Sequence, residues 1–308
     1  MRTISNWRKC LFGLLIGLSV AVASRAMDVS SSMQIQLLPQ GKLLMVPFDS
    51  APFPHPFRAG GYTYHTNFYS ASEHYSDRTV GIFVPKGFRV TSRLDFIVHF
   101  HGWRHSVAGT LAEYKLIEQF AASGKNAILI VPQGPLNVTD SFGGKLEDTN
   151  GFKNFMDEAV RQLCDRGMLP RGDFQIGDII LSGHSGGYHV MAAILDHGGM
   201  SGKIQEVWLF DALYESANIF SSWQKNQDGR LLNIYTDHGG TREETEQLMA
   251  AYRAAGVKYS WLEENRCTRK DIQNGKIIFI HSDLVHNDVV SRRDEFRRFV
   301  ETSGLASQ

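Results

Sequence analysis

The chain of 308 residues balances 32 Lys and Arg against 32 Asp and Glu, and 43% of it is hydrophobic. That composition excludes a disordered, collagen-like or disulfide-scaffold chain. The even charge also lacks the basic footprint of a nucleic-acid binder.

The first residues are a different kind of sequence. Arg2, Arg8 and Lys9 precede an apolar run over 10–23 that closes on small residues. A basic stretch, an apolar core of about a dozen residues and an A-x-A-like end describe a secretory signal peptide. Cleavage is expected after Ala23 or Ala26. This gives a leader over 1–26 and a single domain over 27–308, in a secreted or periplasmic protein. The run falls short of the roughly 20 apolar residues of a spanning helix. No other stretch approaches that length, so no stable membrane span is expected once the leader is gone. Cys164 and Cys267 then remain, and an oxidising compartment permits them to pair.

Residues 33–75 carry Pro39, Pro47, Pro52, Pro54 and Pro56 among many aromatics. Ile35, Leu37, Leu43 and Met45 predict a leading antiparallel hairpin at a sheet edge, followed by an extended segment packed over the domain. From residue 79 onward, short β-branched or aromatic runs alternate with helical patterns. The predicted strands are 79–84, 96–100, 127–131, 178–181, 206–210, 232–236 and 276–281. Several are apolar without alternation, as strands covered on both faces should be. The predicted helices are 110–123, 151–167, 187–196, 242–255 and 291–302. This order predicts an α/β fold with one doubly wound, mostly parallel sheet.

The most informative stretch is an apolar strand entering Gly183-His184-Ser185-Gly186-Gly187, with an apolar helical pattern leaving it. This is G-x-S-x-G in strand–turn–helix context, which lifts a serine hydroxyl above the sheet edge. The helix N-terminus beneath it favours developing negative charge. Ser185 is the candidate nucleophile. His184 is expected to point elsewhere, as a packing or pocket residue.

A serine hydroxyl needs a base, and the base an orienting acid. His286 follows the last predicted strand and is the candidate base; His281, still on the strand end, is expected to face the core or the pocket wall. Two acids stand level. Asp237 ends the strand 232–236, and Asp211 ends the preceding one in an apolar setting where a carboxylate needs partners. Backbone N–H groups for an oxyanion are expected from Gly186 and from Trp103, in the loop His101-Gly102-Trp103, which His101 would brace. A rival reading takes His99, His101 and His105 as metal ligands, since residues two apart on a strand share a face. The nearest such signature also requires an aspartate, which is missing here. The Gly- and aromatic-containing stretch 133–145 is expected to line or cover the pocket.

With Gly183–Gly187, His101-Gly102 and a late His286 in order, residues 79–302 resemble the α/β-hydrolase superfamily. Within it the chain is similar to secreted esterases of the poly(3-hydroxyalkanoate) depolymerase and feruloyl esterase kind. The resemblance implies hydrolysis of a small-molecule or polymeric acyl substrate through an acyl-enzyme on Ser185, with no cofactor. A peptidase or amidase on the same three groups is the alternative chemistry. A non-catalytic binding protein on the same fold is the alternative class.

Overall fold

The computed structural model describes residues 35–308. The leader expected over 1–26 and its cleavage sites lie outside the described residues. β1 (Gln36–Leu38) and β2 (Gly41–Pro47) form the expected leading hairpin. β3 (Tyr62–Tyr64) and β4 (Asn67–Tyr69) make a separate small hairpin. The remaining strands are β5 (Thr79–Pro85), β6 (Arg93–Phe100), β7 (Ile128–Pro132), β8 (Gln175–His184), β9 (Ile204–Phe210), β10 (Arg230–Thr236), β11 (Ser260–Glu263) and β12 (Ile277–Ser282). Among the described residues, ten strands share one sheet in the order β1-β2-β5-β7-β6-β8-β9-β10-β12-β11. The pairings β1–β2, β2–β5 and β5–β7 are antiparallel, and every pairing from β7 to β11 is parallel.

The helices are α1 (Ala71–His74), α2 (Val107–Glu113), α3 (Leu116–Ala122), α4 (Gly151–Asp165), α5 (Tyr188–His197), α6 (Ala217–Gln227), α7 (Arg242–Ala254), α8 (Arg269–Gln273) and α9 (Glu295–Thr302). They cover both faces of the sheet, which explains the unalternating strands. Along β6, Phe96 and Val98 join one core with Phe155 of α4 and Ile194 of α5. Ile97, between them, joins the opposite core with Phe120 of α3 and Phe299 of α9. Each such side chain contributes about 1.5–3 kcal/mol by leaving water. The expected fold class is therefore the one observed.

The details differ in several places. The helix expected over 110–123 is two helices, broken where Tyr114 turns fully inward and Lys115 takes a left-handed φ of 48°. The last helix starts at Glu295 rather than 291, because Asp294 before it is left-handed at φ 57°. α6 and β11 escaped prediction: α6 is mostly polar, burying Phe220, Trp223 and Gln224, and β11 is a four-residue edge strand. Cys164 and Cys267 do not pair; both are free thiols, with Arg298 Nη2 2.8 Å from Cys267 Sγ.

One buried carboxylate helps to tie down the segment between β2 and β5. Asp140 accepts from Arg58 Nε at 2.8 Å, Arg58 Nη2 at 3.1 Å and the Tyr75 hydroxyl at 2.9 Å. The Arg58 guanidinium also lies 4.5 Å from the Tyr62 ring and 4.7 Å from Phe142. A paired, aromatic-flanked arginine of this kind clamps the Pro- and aromatic-rich segment onto the 135–144 loop.

Candidate active site

Because β6, β8, β9, β10 and β12 run parallel, their carboxyl ends open on one edge of the sheet, where α/β proteins bind ligands. Ser185 follows β8 directly and takes φ 51°, a region costly for a residue with a side chain. A Cβ on Gly187 would meet the Phe100 carbonyl oxygen at 2.7 Å, so the tight return of the chain requires glycine there. A short turn over Ser185–Gly187 leads into α5. A Cβ on Gly102 would lie 2.7 Å from Ser185 Cβ, so the loop after β6 passes against the serine.

Ser185 and His286 line the same cleft, of about 890 Å³, together with Gly186, Trp103, Tyr64, Ser141, Tyr188 and Tyr214. His286 Nδ1 donates to Asp211 Oδ2 at 2.7 Å. Asp211 follows β9 at φ 46° and is fully buried. Its carboxylate also accepts from Thr236 Oγ1 at 2.7 Å, from the Thr236 N–H at 3.3 Å, and from the Thr241 hydroxyl. Burial alone would push the Asp211 carboxyl upward. The hydrogen bonds from His286, Thr241 and Thr236 outweigh it and hold the group below the ordinary carboxylate value.

Asp237, the level rival in the sequence, is elsewhere. It accepts from His281 Nε2 at 3.0 Å and pairs with Arg242 at 2.7 Å, while His281 Nδ1 donates to Glu263 at 2.9 Å. His281 walls a different, open cleft with Tyr235, Arg253 and Trp261. The structure thus brings together Ser185, His286 and Asp211, and leaves Asp237 outside. The physical reason is the direction of the strand-end turns: Thr236 and Thr241 aim their hydroxyls at Asp211, while Asp237 turns to the surface.

His101 is buried and braces its loop. Its Nδ1 donates to the Gly102 carbonyl at 2.8 Å, and Nε2 accepts from the Gly134 N–H at 3.0 Å and Gln133 Nε2 at 3.1 Å. Burial pushes its pKa down to about 4, so it is neutral. His99 Nδ1 meets Ser182 Oγ at 2.9 Å, and His105 Nε2 meets the Tyr114 hydroxyl at 3.3 Å. These three histidines therefore serve separate hydrogen-bond networks. Among the described residues, no group of three or more His, Cys, Asp or Glu side chains is placed to hold a metal ion.

The stretch 133–145 lines the cleft through Thr139 and Ser141, and Ser141 Oγ accepts from Trp103 Nε1 at 2.7 Å. Tyr214 was missed by sequence reasoning. Its hydroxyl donates to the Gly239 carbonyl at 2.6 Å, and burial together with Asp211 pushes its pKa up to about 12. Its only signal was its place three residues after Asp211. Thr236 and Thr241 were also missed, although they flank Asp237 in the sequence.

No protein-family model matches the chain, and neither does any curated protein. Solved structures do match. A mutant of the feruloyl esterase module from Clostridium thermocellum, complexed with sinapinate, superposes with a TM-score of 0.51 at 10% identity, covering 88% of this chain and 94% of that one. The fold is that of the α/β-hydrolases. A fluorophosphonate-binding serine hydrolase of Staphylococcus aureus shares the hydrolase fold at TM-score 0.50 and 10% identity, over 86% of this chain and 99% of the other. A ferulic acid esterase does so at TM-score 0.50 and 13% identity, over 72% and 91%. In the hydrolase fold of the present chain, Ser185 and Asp211 directly follow β8 and β9, and His286 lies in the loop after β12, in that chain order.

Proposed function

We propose that this chain is a serine hydrolase that cleaves a carboxylic ester through an acyl-enzyme on Ser185. The observation that carries the reading is the His286–Asp211 hydrogen bond, 2.7 Å long and fully buried on the aspartate side, at the cleft that Ser185 lines. With Nδ1 committed to Asp211, His286 keeps Nε2 for the serine proton. Ser185 Oγ then attacks the acyl carbonyl, and the Gly186 and Trp103 N–H groups hold the oxyanion. His286 returns the proton to the departing alkoxide, and water releases the acid by the same route in reverse.

The names of similar folds, a feruloyl esterase module and a ferulic acid esterase among them, support ester chemistry over amide chemistry. The leader read over 1–26 supports an exported protein, secreted or periplasmic. The substrate is a small-molecule or polymeric acyl compound. A fluorophosphonate probe tests the class: wild type labels, and Ser185→Ala does not. Hydrolysis of short p-nitrophenyl esters but not peptide anilides supports the ester reading; the reverse preference overturns it. Absence of labelling in the folded wild type overturns the enzyme reading altogether.

A further inference from the structure

His184, the residue before the nucleophile, is 2% exposed and bonded through both ring nitrogens. Its Nε2 lies 3.0 Å from the carbonyl oxygen of His286, and a carbonyl can only accept, so Nε2 carries the proton. Burial pushes the His184 pKa down to about 3, with the neighbouring His286 acting in the same sense, so the ring is neutral and Nδ1 is an acceptor. The Tyr114 hydroxyl, 3.0 Å from Nδ1, must donate to it. Tyr114 in turn accepts from His105 Nε2 at 3.3 Å. The result is a directional chain from His105 through Tyr114 and His184 to the backbone of His286. The two rings also pack together, with centroids 4.6 Å apart.

We propose that His184 is a positioning residue for the base: its Nε2–H grips the His286 carbonyl, and Tyr114 locks the tautomer that makes this grip possible. The inference rests on the reading of His286 as the base of Ser185. The partner of one ring nitrogen decides which one carries the proton. Without the Tyr114 hydroxyl, Nδ1 would be a buried acceptor with no donor, and the Nε2–H tautomer would be held by the His286 carbonyl alone. The loop carrying the base would then be held less firmly beside the nucleophile. A neutral ring here also avoids repelling the imidazolium that His286 becomes during attack. The arrangement gives a positional job to a residue that the sequence marks only as a packing or pocket residue beside the nucleophile.

The test compares His184→Gln, His184→Asn and His184→Phe with Tyr114→Phe on a short p-nitrophenyl ester and a fluorophosphonate probe. Gln can present an N–H where Nε2 stands, whereas Asn reaches only as far as Nδ1 and Phe keeps the ring without a donor. The expected result is a kcat loss of about ten- to a hundredfold for Asn and Phe with KM within about threefold, as displacement of a catalytic group should give. Gln should restore most of the rate, and Tyr114→Phe should lose about three- to tenfold. Equal rates for Gln, Asn and Phe overturn the proposal, whether all are high or all are low, provided that each melts cooperatively. If His184→Phe does not fold, Gln against Asn and Tyr114→Phe against wild type still decide. Wild type that fails to label refutes the triad reading instead, so the two failures are distinguishable.

Discussion

Two histidine–aspartate pairs stand at neighbouring strand ends, and their surroundings differ sharply. His286 meets Asp211, whose side chain is fully buried, whereas His281 meets Asp237, whose side chain is 40% exposed. Asp211 spends its acceptor capacity on one imidazole, two threonine hydroxyls and a backbone N–H. Asp237 shares itself between His281 and Arg242 at the surface, and His281 is divided between Asp237 and Glu263. Burial lowers the His281 pKa, but hydrogen bonds to Glu263 and Asp237 outweigh it and raise the value, and with both ring nitrogens engaged none is left to accept a serine proton. His286 commits only one ring nitrogen to a carboxylate. A His–Asp contact is therefore not by itself a catalytic pair; what matters is the nitrogen left over.

Substitutions that act on one pair and spare the other test this contrast. The largest effect is expected for Asp211→Asn, which keeps the shape but frees the wrong imidazole tautomer. Its kcat/KM on a short ester should fall about a thousandfold or more, and a loss under tenfold would break the assignment.

Acid sensitivity should report on the buried histidines. His99, His101 and His184 are held neutral by burial, with His101 at about 4 and His184 at about 3, against an ordinary value of 6.5. Between about pH 6.5 and 4 the unfolded chain binds protons that the folded chain refuses, so stability falls as the pH falls. The slope should reach about 1.4 kcal/mol per pH unit for each such histidine. His281, His189 and His197, with raised pKa values, and Glu295, whose carboxyl burial pushes up to about 8, work in the opposite sense: their contributions are present at low pH and are lost as the pH rises through their folded values. The difference between the urea midpoints at pH 7 and pH 5, compared in wild type and His184→Gln, isolates one buried ring: stability should fall less toward pH 5 in the variant, and an unchanged difference would contradict the burial argument. The smallest effect is expected for His281→Gln, whose ester kcat/KM should remain within about twofold of wild type.

The same contrast shows what the sequence could reveal. The apolar strands, the elbow around Ser185 and the late His286 were legible because each depends on local pattern: unalternating hydrophobicity, glycines at a tight turn, a histidine after the last strand. Which aspartate pairs with His286 was not legible. Both aspartates end strands, and only tertiary contacts from Thr236 and Thr241 distinguish them. The break at Tyr114 was hidden for a similar reason, since its cause is burial of a ring whose hydroxyl serves His184 across 70 positions of sequence. β11 was invisible because a four-residue edge strand owes its shape to pairing with β12 rather than to its own residues.

The most direct measurement is the second-order rate of fluorophosphonate labelling for Asp211→Asn and Asp237→Asn side by side. Labelling slowed about a hundredfold or more in Asp211→Asn and within about twofold of wild type in Asp237→Asn is the predicted result. Equal rates in the two variants, or the slower rate in Asp237→Asn, would contradict a site built on Ser185, His286 and the buried aspartate.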